Sequence, residues 1–284
     1  MEYIRPKKIE NIIEEVGTRR AYYIAGGTDI MVLKKENEIQ PDRPWVDLTA
    51  IEEELKGIEK NDKYIIIGSL TNMSELAESS VLRKNCTSLA RAAEEMGSPL
   101  IRNLATLGGN IANSNPAGDT IPPVYALQAE FLVPSHNRVK EIPVSEFFLG
   151  PGNNVLEPGE IIKAVKIPLK KNSYSGFRKL GPRKALAISK VSVAARWEMD
   201  DKIIKNIRIA LGAVGPTCIL ARRTADFLKG KRINKNTLKE ARDILETEAS
   251  PIDDFRSTAG YRRSMTGILL KRILTQDYNE LKNK

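Results

Sequence analysis

Two glycine-rich segments are the parts of the chain best suited to bind a ligand. The first runs from Ile24 to Asp29, and the second runs from Thr106 to Asn110. Glycine permits a positive φ and a close approach of ligand to backbone, and consecutive N–H groups at such a turn form a concave anion site. Either segment alone could be a tight turn that binds nothing. The two together predict a ligand with two phosphates, held from both sides.

The second segment continues into a stretch rich in Gly, Asn and Ser that ends at Asp119. This stretch shows no helical or strand periodicity, so we predict a long loop that is functional, or else a compact loop packed on itself. Asp119 could accept a hydrogen bond from a ribose or another hydroxyl group. Neither segment matches the Gly-x-Gly-x-x-Gly or Walker pattern, which argues against a standard dinucleotide fold or P-loop.

Other common kinds of active site lack the residues they need. The chain has one histidine, His136, in a predicted exposed turn, and two cysteines, Cys86 and Cys218, predicted to be reduced structural thiols. The chain therefore lacks nearly all the residues needed for a Ser/His/Asp triad, a His-ligated metal or a Cys-ligated iron–sulfur cluster. We predict no catalytic residue and no metal ligand on this chain.

The composition of the chain limits the kinds of partner that it could bind. The chain of 284 residues carries a formal net charge of +9, but its basic residues are dispersed, and the densest patch, Lys229–Arg232, lacks interleaved aromatic residues. We expect a solvated basic surface, or one that faces an acidic cofactor or partner, rather than a nucleic-acid site. No apolar run approaches the roughly 20 residues of a membrane span, and the start shows no signal region. These features predict a cytoplasmic protein without a membrane partner.

The elements that must position the two segments follow from apolar periodicity. The chain is predicted to begin with a βαβ-type unit, made of a helix, a strand, the first glycine segment, another helix and a strand. A further strand follows, and the helix after it is predicted to have Thr71 or Ser74 as its N-cap. A polar break at Lys170–Ser173 marks a predicted domain boundary. The predicted helices cover 9–16, a stretch from 30, 89–96, 124–128, 221–229, 238–246 and 261–274, and the predicted strands cover 21–25, 46–48, 64–68, 130–133, 160–167, 188–199 and 203–213.

The glycine segments, with Pro116–Asp119 and the following Pro122–Pro123, resemble the FAD-binding (medium) subunit of the xanthine dehydrogenase and carbon monoxide dehydrogenase family of molybdenum hydroxylases. Residues 157–162, 177–185 and 191–194 extend this resemblance over nearly the whole chain. It implies an α+β protein: a vanillyl-alcohol-oxidase (PCMH)-type FAD-binding domain at 1–170, made of two α/β subdomains at about 1–54 and 55–170. A smaller C-terminal domain of antiparallel sheet and helices follows at 171–284.

The resemblance also implies where a non-covalent FAD would bind. Backbone groups of both glycine segments would hold the pyrophosphate, Asp119 would bind the ribose or ribityl region, and Ile162 would press against the isoalloxazine ring. Arg178 or Lys179 would place a cation near the polar edge of the flavin; the alternative is that both lie on a solvated strand face. The predicted FAD contacts are Ile24, Ala25, Gly26, Gly27, Thr28, Asp29, Thr106, Gly108, Gly109, Asn110, Ile111, Asp119, Ile162, Arg178 and Lys179.

The function implied by the resemblance is electron relay within a multi-subunit enzyme. A molybdenum-cofactor subunit would hydroxylate the organic substrate, and a [2Fe–2S] subunit would pass electrons to FAD on this chain. The FAD would then reduce NAD or another acceptor. Three alternatives stay open: a standalone FAD oxidase or reductase of the same fold, a basic binding module, and a scaffold that has lost its flavin, which the intact Gly-Gly pairs argue against.

Overall fold

The computed structural model describes residues 2–36, 38–135, 138–183 and 186–282. The prediction about His136, and the part of the resemblance that includes Lys184 and Ala185, lie outside these residues. The strands are β1 (Tyr3–Ile4), β2 (Tyr22–Ile24), β3 (Trp45–Asp47), β4 (Ile58–Lys60), β5 (Tyr64–Gly68), β6 (Glu130–Ser135), β7 (Arg138–Pro143), β8 (Phe148–Gly150), β9 (Asn153–Asn154), β10 (Ala164–Pro168), β11 (Ser173–Leu180), β12 (Val191–Asp200), β13 (Ile203–Gly212) and β14 (Ile219–Leu220).

Helices pack on these strands, together with one 3₁₀ turn, Leu48–Ile51, and one π-helical turn, Ile273–Asp277. The α-helices are α1 (Ile9–Val16), α2 (Ile30–Lys35), α3 (Glu52–Leu55), α4 (Met73–Glu78), α5 (Ser80–Asn85), α6 (Thr87–Glu94), α7 (Pro99–Leu104), α8 (Leu107–Ala112), α9 (Ile121–Ala126), α10 (Val144–Phe147), α11 (Arg222–Leu228), α12 (Lys235–Glu248), α13 (Ala259–Arg272) and α14 (Tyr278–Lys282). Across the described ranges, every helix is too short or too polar to reach across a bilayer.

The N-terminal unit has the predicted βαβ arrangement. Strands β2 and β3 are parallel and are joined through α2, and β1 completes a three-stranded sheet in the order β1-β3-β2. Helix α1 buries Ile9, Ile12 and Val16 on one face, and it ends where Gly17 takes a φ of 59°. The first glycine segment therefore follows directly from the end of β2.

The next unit is a five-stranded antiparallel sheet in the order β4-β5-β10-β6-β7. Ile65 and Ile67 alternate into its fully buried face. Strand β10 begins at Ala164, so the predicted strand start at residue 160 is wrong. Residues 157–160 instead form a turn, in which the Glu160 backbone N–H donates to the Glu157 carbonyl at 3.0 Å and Gly159 has a φ of 82°.

Two local predictions in this unit are corrected. The N-cap of α4 is Asn72 rather than Thr71 or Ser74, because Asn72 and Glu75 form a reciprocal capping box. The stretch after Ala105 is not wholly a loop, because α8 spans Leu107–Ala112. Its N-cap is Thr106, whose hydroxyl oxygen accepts from the Gly109 backbone N–H at 3.1 Å.

The C-terminal part is an antiparallel sheet in the order β11-β12-β13-β14, with α11 and α13 packed on it and α12 packed against these two helices. Its core buries Trp197, Leu245 and Leu270 among a larger apolar set. The predicted α+β fold with antiparallel sheet and C-terminal helices is confirmed. The domain boundary at 170/171 and the subdomain boundary at 54/55 stay predictions.

Candidate functional site

A cleft of about 700 Å³ lies where the N-terminal unit meets α8 and the turn before β10. It brings both glycine segments and Ile162 to one surface, although they are far apart in sequence. The predicted contacts that line it are Ala25, Gly26, Gly27, Thr28, Asp29, Thr106, Gly108, Gly109, Asn110 and Ile162. A concave site of this size is typical of small-molecule and cofactor binding.

Gly26 in the first segment packs closely against the end of α7, just before the second segment. A Cβ atom at Gly26 would lie 1.8 Å from the backbone oxygen of Leu104, the residue that ends α7 just before the second segment. Gly27 has a φ of 71°, which side-chain-bearing residues rarely adopt. Glycine is therefore required at Gly26 by the close approach and favoured at Gly27 by the backbone conformation.

The first segment presents unpaired backbone donors. No acceptor among the described residues bonds the N–H groups of Gly26, Gly27, Thr28 or Asp29. Four successive N–H groups at the mouth of a cleft, just before α2, can bind an anion. This geometry agrees with the predicted anion-binding character of the first segment.

The second segment differs, because its backbone donors are already used within the protein. The N–H groups of Leu107, Gly108, Gly109 and Asn110 donate to Thr71 O, Ser69 O, Thr106 Oγ1 and Thr106 O. These N–H groups already have acceptors within the protein, so their contact with a pyrophosphate stays a prediction. What the segment offers the cleft is side chains. The Asn110 carboxamide oxygen accepts from Thr120 Oγ1 at 2.6 Å, which leaves the Asn110 amide N–H groups to donate.

Asp119 and Lys179 form a buried ion pair outside the cleft lining. The Lys179 ammonium donates to Asp119 Oδ2 at 2.6 Å, and the Ser189 hydroxyl donates to Asp119 Oδ1 at 2.6 Å. Burial raises the pKa of the Asp119 carboxyl, and the Lys179 charge with the two hydrogen bonds opposes that rise. Because protein donors occupy both carboxylate oxygens, the contact between Asp119 and a ribose stays a prediction that this geometry does not support.

Arg178 points to the opposite side of β11 and is also paired. It binds Asp277, a fully buried residue of the π-helical turn, which also accepts from Arg91 Nη1 at 2.8 Å. The Lys179 side chain is therefore buried, whereas 31% of the Arg178 side chain stays exposed. Neither residue lines the cleft, and neither do Ile24 or the core residue Ile111, so a flavin contact by these four residues stays a prediction.

Sequence reasoning missed the turn and the tyrosine that close the other side of the cleft. The Tyr23 hydroxyl accepts from the Gly159 backbone N–H at 3.1 Å, and burial raises the pKa of Tyr23 to about 12. Glu160 is buried beside it and pairs with Lys140 at 2.6 Å. Strand alternation before the first glycine segment is the one signal that could have pointed to Tyr23.

The cleft fits a dinucleotide cofactor. Free N–H groups at one segment suit a pyrophosphate, and apolar side chains of Leu70, Ile101 and Ile162 suit a flat ring. A Cβ atom at Gly108 would lie 2.5 Å from Ser69 Cβ, so the floor of the cleft depends on close backbone packing. Together, fold and cleft define an α+β cofactor-binding protein of the flavoprotein class.

Comparison with known families identifies the group. Residues 1–170 match the family described as "FAD binding domain in molybdopterin dehydrogenase". Residues 177–277 match the family described as "CO dehydrogenase flavoprotein C-terminal domain". The chain belongs to the FAD-binding family of molybdopterin dehydrogenases. The predicted resemblance, fold class and assignment to the FAD-dependent oxidoreductase subunits are confirmed.

Individual relatives match this chain over most of their length. The carbon monoxide dehydrogenase medium chain of Hydrogenophaga pseudoflava is 29% identical over 276 residues, which cover 96% of this chain and 95% of the relative. The xanthine dehydrogenase FAD-binding subunit of Escherichia coli is 29% identical, covering 90% and 88%. A solved structure of carbon monoxide dehydrogenase from Hydrogenophaga pseudoflava superimposes with a TM-score of 0.89 at 28% identity, covering 96% and 95%.

Proposed function

We propose that this chain binds FAD without a covalent link and relays electrons from an iron–sulfur partner to NAD or another acceptor. The row of four free N–H groups at Gly26–Asp29, facing a cleft of about 700 Å³, is the observation that carries the proposal. These groups would hold the pyrophosphate, and Ile162 would pack against the ring. When bound, FAD supplies the capacity to take up and give out electrons, which no side chain offers.

Oxidation of an organic substrate is proposed to occur on another subunit. Among the described residues, no group of three or more His, Cys, Asp or Glu side chains is arranged to hold a metal. Cys86 and Cys218 are free and buried, and burial raises the pKa of Cys86 to about 12 and raises that of Cys218 as well, so neither is an activated thiol. Relatives named as a medium chain or an FAD-binding subunit support partner subunits that carry the iron–sulfur clusters and the molybdenum cofactor. A cytoplasmic location is part of the same proposal.

Adding FAD to the purified, flavin-free chain is expected to yield a stable complex with the absorption bands of an oxidised flavin. Because the proposed contacts are non-covalent, acid precipitation should release the flavin into the supernatant. Absorption spectra of supernatant and pellet measure both results. Persistent failure to take up FAD, in a chain that circular dichroism shows to be folded, would contradict the proposal.

The chain alone is expected to pass electrons from NADH to an artificial dye but not to hydroxylate xanthine, nicotinate or an aldehyde. Adding the iron–sulfur and molybdenum subunits should restore substrate oxidation, since those subunits would hold the reacting centre. Dye reduction and product formation, measured with and without the partners, separate the two roles. Oxidation of an organic substrate by the flavin-loaded chain alone would support the standalone oxidase instead.

A further inference from the structure

A second cavity, of about 340 Å³, lies between the end of α9 and the β12–β13 face of the C-terminal sheet. It shares no lining residue with the cleft. Four basic side chains line it, against two acidic ones. The charged lining residues are Lys170, Arg196, Arg208, Arg222, Glu198 and Asp226.

Two of the arginines face each other across neighbouring strands. Arg196 on β12 is the direct partner of Arg208 on β13, and like charges at such positions destabilise a sheet. Arg196 is only 6% exposed. Burial lowers the pKa of both guanidinium groups, and the nearby charge of Arg222 lowers that of Arg208 further. The fold therefore holds partly desolvated cations at the wall of a cavity, and Arg222 lies close enough to Arg208 to repel it.

Uncharged acceptors bond only some of the N–H donors of Arg196 and Arg208. Arg196 donates to Leu127 O at 3.2 Å, to Pro168 O at 3.0 Å and to Ser173 Oγ at 3.4 Å. Arg208 donates through Nε to Tyr125 O at 2.8 Å. The carbonyls of Tyr125 and Leu127 lie at the negative end of α9, which explains why arginines gather there.

The remaining donors of Arg208 have no partner among the described residues. Within the described ranges, neither arginine of the facing pair has a carboxylate within ion-pair distance, and the two Nη atoms of Arg208 have no acceptor. Arg222, at the rim of the cavity, is exposed and forms no ion pair with any described residue. A guanidinium with free Nη groups matches the paired oxygens of a phosphate better than it matches a single carbonyl.

We propose that this cavity binds the phosphate group of a small phosphate monoester. The dianion would lie between Arg208 and Arg222 and relieve their repulsion, while Arg196 keeps its carbonyl contacts. The volume exceeds that of one phosphate, which leaves room for a short organic group. Glu198 and Asp226 in the same wall can accept hydrogen bonds from hydroxyl groups on that part. Helix α9 lies before the predicted domain boundary, and β12 and β13 lie after it. A ligand in this cavity would therefore contact both parts of the chain.

The test uses the full-length chain and isothermal titration calorimetry at constant ionic strength. Inorganic phosphate, glycerol 3-phosphate and neutral glycerol are titrated separately, with sodium chloride compensating the ionic strength. We expect saturable binding of both phosphates, tighter for glycerol 3-phosphate, and none for glycerol. Arg208→Gln should weaken binding at least tenfold, and Arg222→Gln should weaken it several-fold. Lys205→Gln, which removes an exposed lysine outside the cavity, should change nothing.

The Arg222→Gln variant is expected to fold normally, because Arg222 is exposed and forms no ion pair with any described residue. A loss of binding in this variant would therefore not be due to a folding defect. Flavin uptake and circular dichroism establish that each variant is intact. Absence of saturable binding, or binding that both arginine variants leave unchanged, would overturn the site. Equal affinity for inorganic phosphate and glycerol 3-phosphate would overturn its assignment to a monoester. None of these results bears on the cleft, which lies elsewhere.

Discussion

Replacing Gly26 with alanine is expected to abolish stable FAD binding. The added Cβ would lie 1.8 Å from Leu104 O, a backbone atom that cannot move alone. The neighbouring Ala105 is held by two backbone bonds, from its N–H to Ile101 O at 2.7 Å and from Met73 N–H to its carbonyl at 2.9 Å. The first glycine segment and the end of α7 must therefore separate. We expect at least about 100-fold weaker FAD affinity, which corresponds to a loss of about 3 kcal/mol.

Fluorescence titration of flavin-free Gly26→Ala with FAD measures this effect. Gly260→Ala is the matched control, because a Cβ at Gly260 would meet no atom within 4 Å and the residue lies in α13, away from the cleft. Gly27→Ala separates conformation from contact, since its Cβ would have room but its φ of 71° would be strained. It should weaken binding less than Gly26→Ala. Normal affinity in a folded Gly26→Ala chain would show that the close contact between Gly26 and Leu104 has no role in binding.

Of the substitutions proposed, Lys179→Met should produce the largest loss in the free energy of unfolding. The ammonium of Lys179 is the cation that pairs with the buried Asp119 carboxylate, and both side chains are less than one-tenth exposed. Removing one partner of a buried pair typically costs about 3–5 kcal/mol, because the other charge stays buried and uncompensated. Urea unfolding of the flavin-free chain, followed by circular dichroism, gives the free energy directly. Lys171→Met, at an exposed lysine just before β11, is the control.

The pH dependence distinguishes a lost charge pair from lost packing. Burial already raises the pKa of Asp119, and without Lys179 the pKa rises further. The folded variant then binds a proton more tightly than the unfolded chain, so its stability falls as pH rises from the unfolded pKa towards the folded one. The deficit of Lys179→Met should therefore be smaller at about pH 4 than at about pH 7. Adding Asp119→Asn should recover stability at neutral pH; a double variant as unstable as Lys179→Met at every pH would show that packing dominates.

Local pattern was sufficient for the elements that define the fold. Helix α1 is predictable because Ile9, Ile12 and Val16 share one face and Gly17 ends it. The long strands β12 and β13 are predictable from stretches rich in β-branched and other apolar residues on either side of a turn, where Asp201 and Lys202 take positive φ. In these segments the residues that decide the structure are neighbours in sequence.

Segments whose structure depends on distant contacts were not predictable. Helix α8 contains two glycines, which have poor helix propensity, yet it forms because Thr106 caps it and because Gly108 packs on Ser69. For the site, the two glycine segments were enough to predict a ligand held from both sides. The use of the second segment's N–H groups depends on Ser69 and Thr71, and the pairing of Arg178 with Asp277 joins residues 99 positions apart. No spacing in the sequence indicates those partners.

The π-helical turn at Ile273–Asp277 makes the length of the C-terminal helix a structural constraint. A π turn closes its hydrogen bonds over one more residue than an α turn, so it rotates everything beyond it relative to a regular helix. Asp277 reaches Arg91 and Arg178 from the end of that turn, and Glu280 in α14 then reaches Arg91 as well. Deleting one residue there would restore α geometry and turn both carboxylates away from their arginines. The ion pairs of Asp277 and Glu280 therefore depend on the number of residues in this stretch.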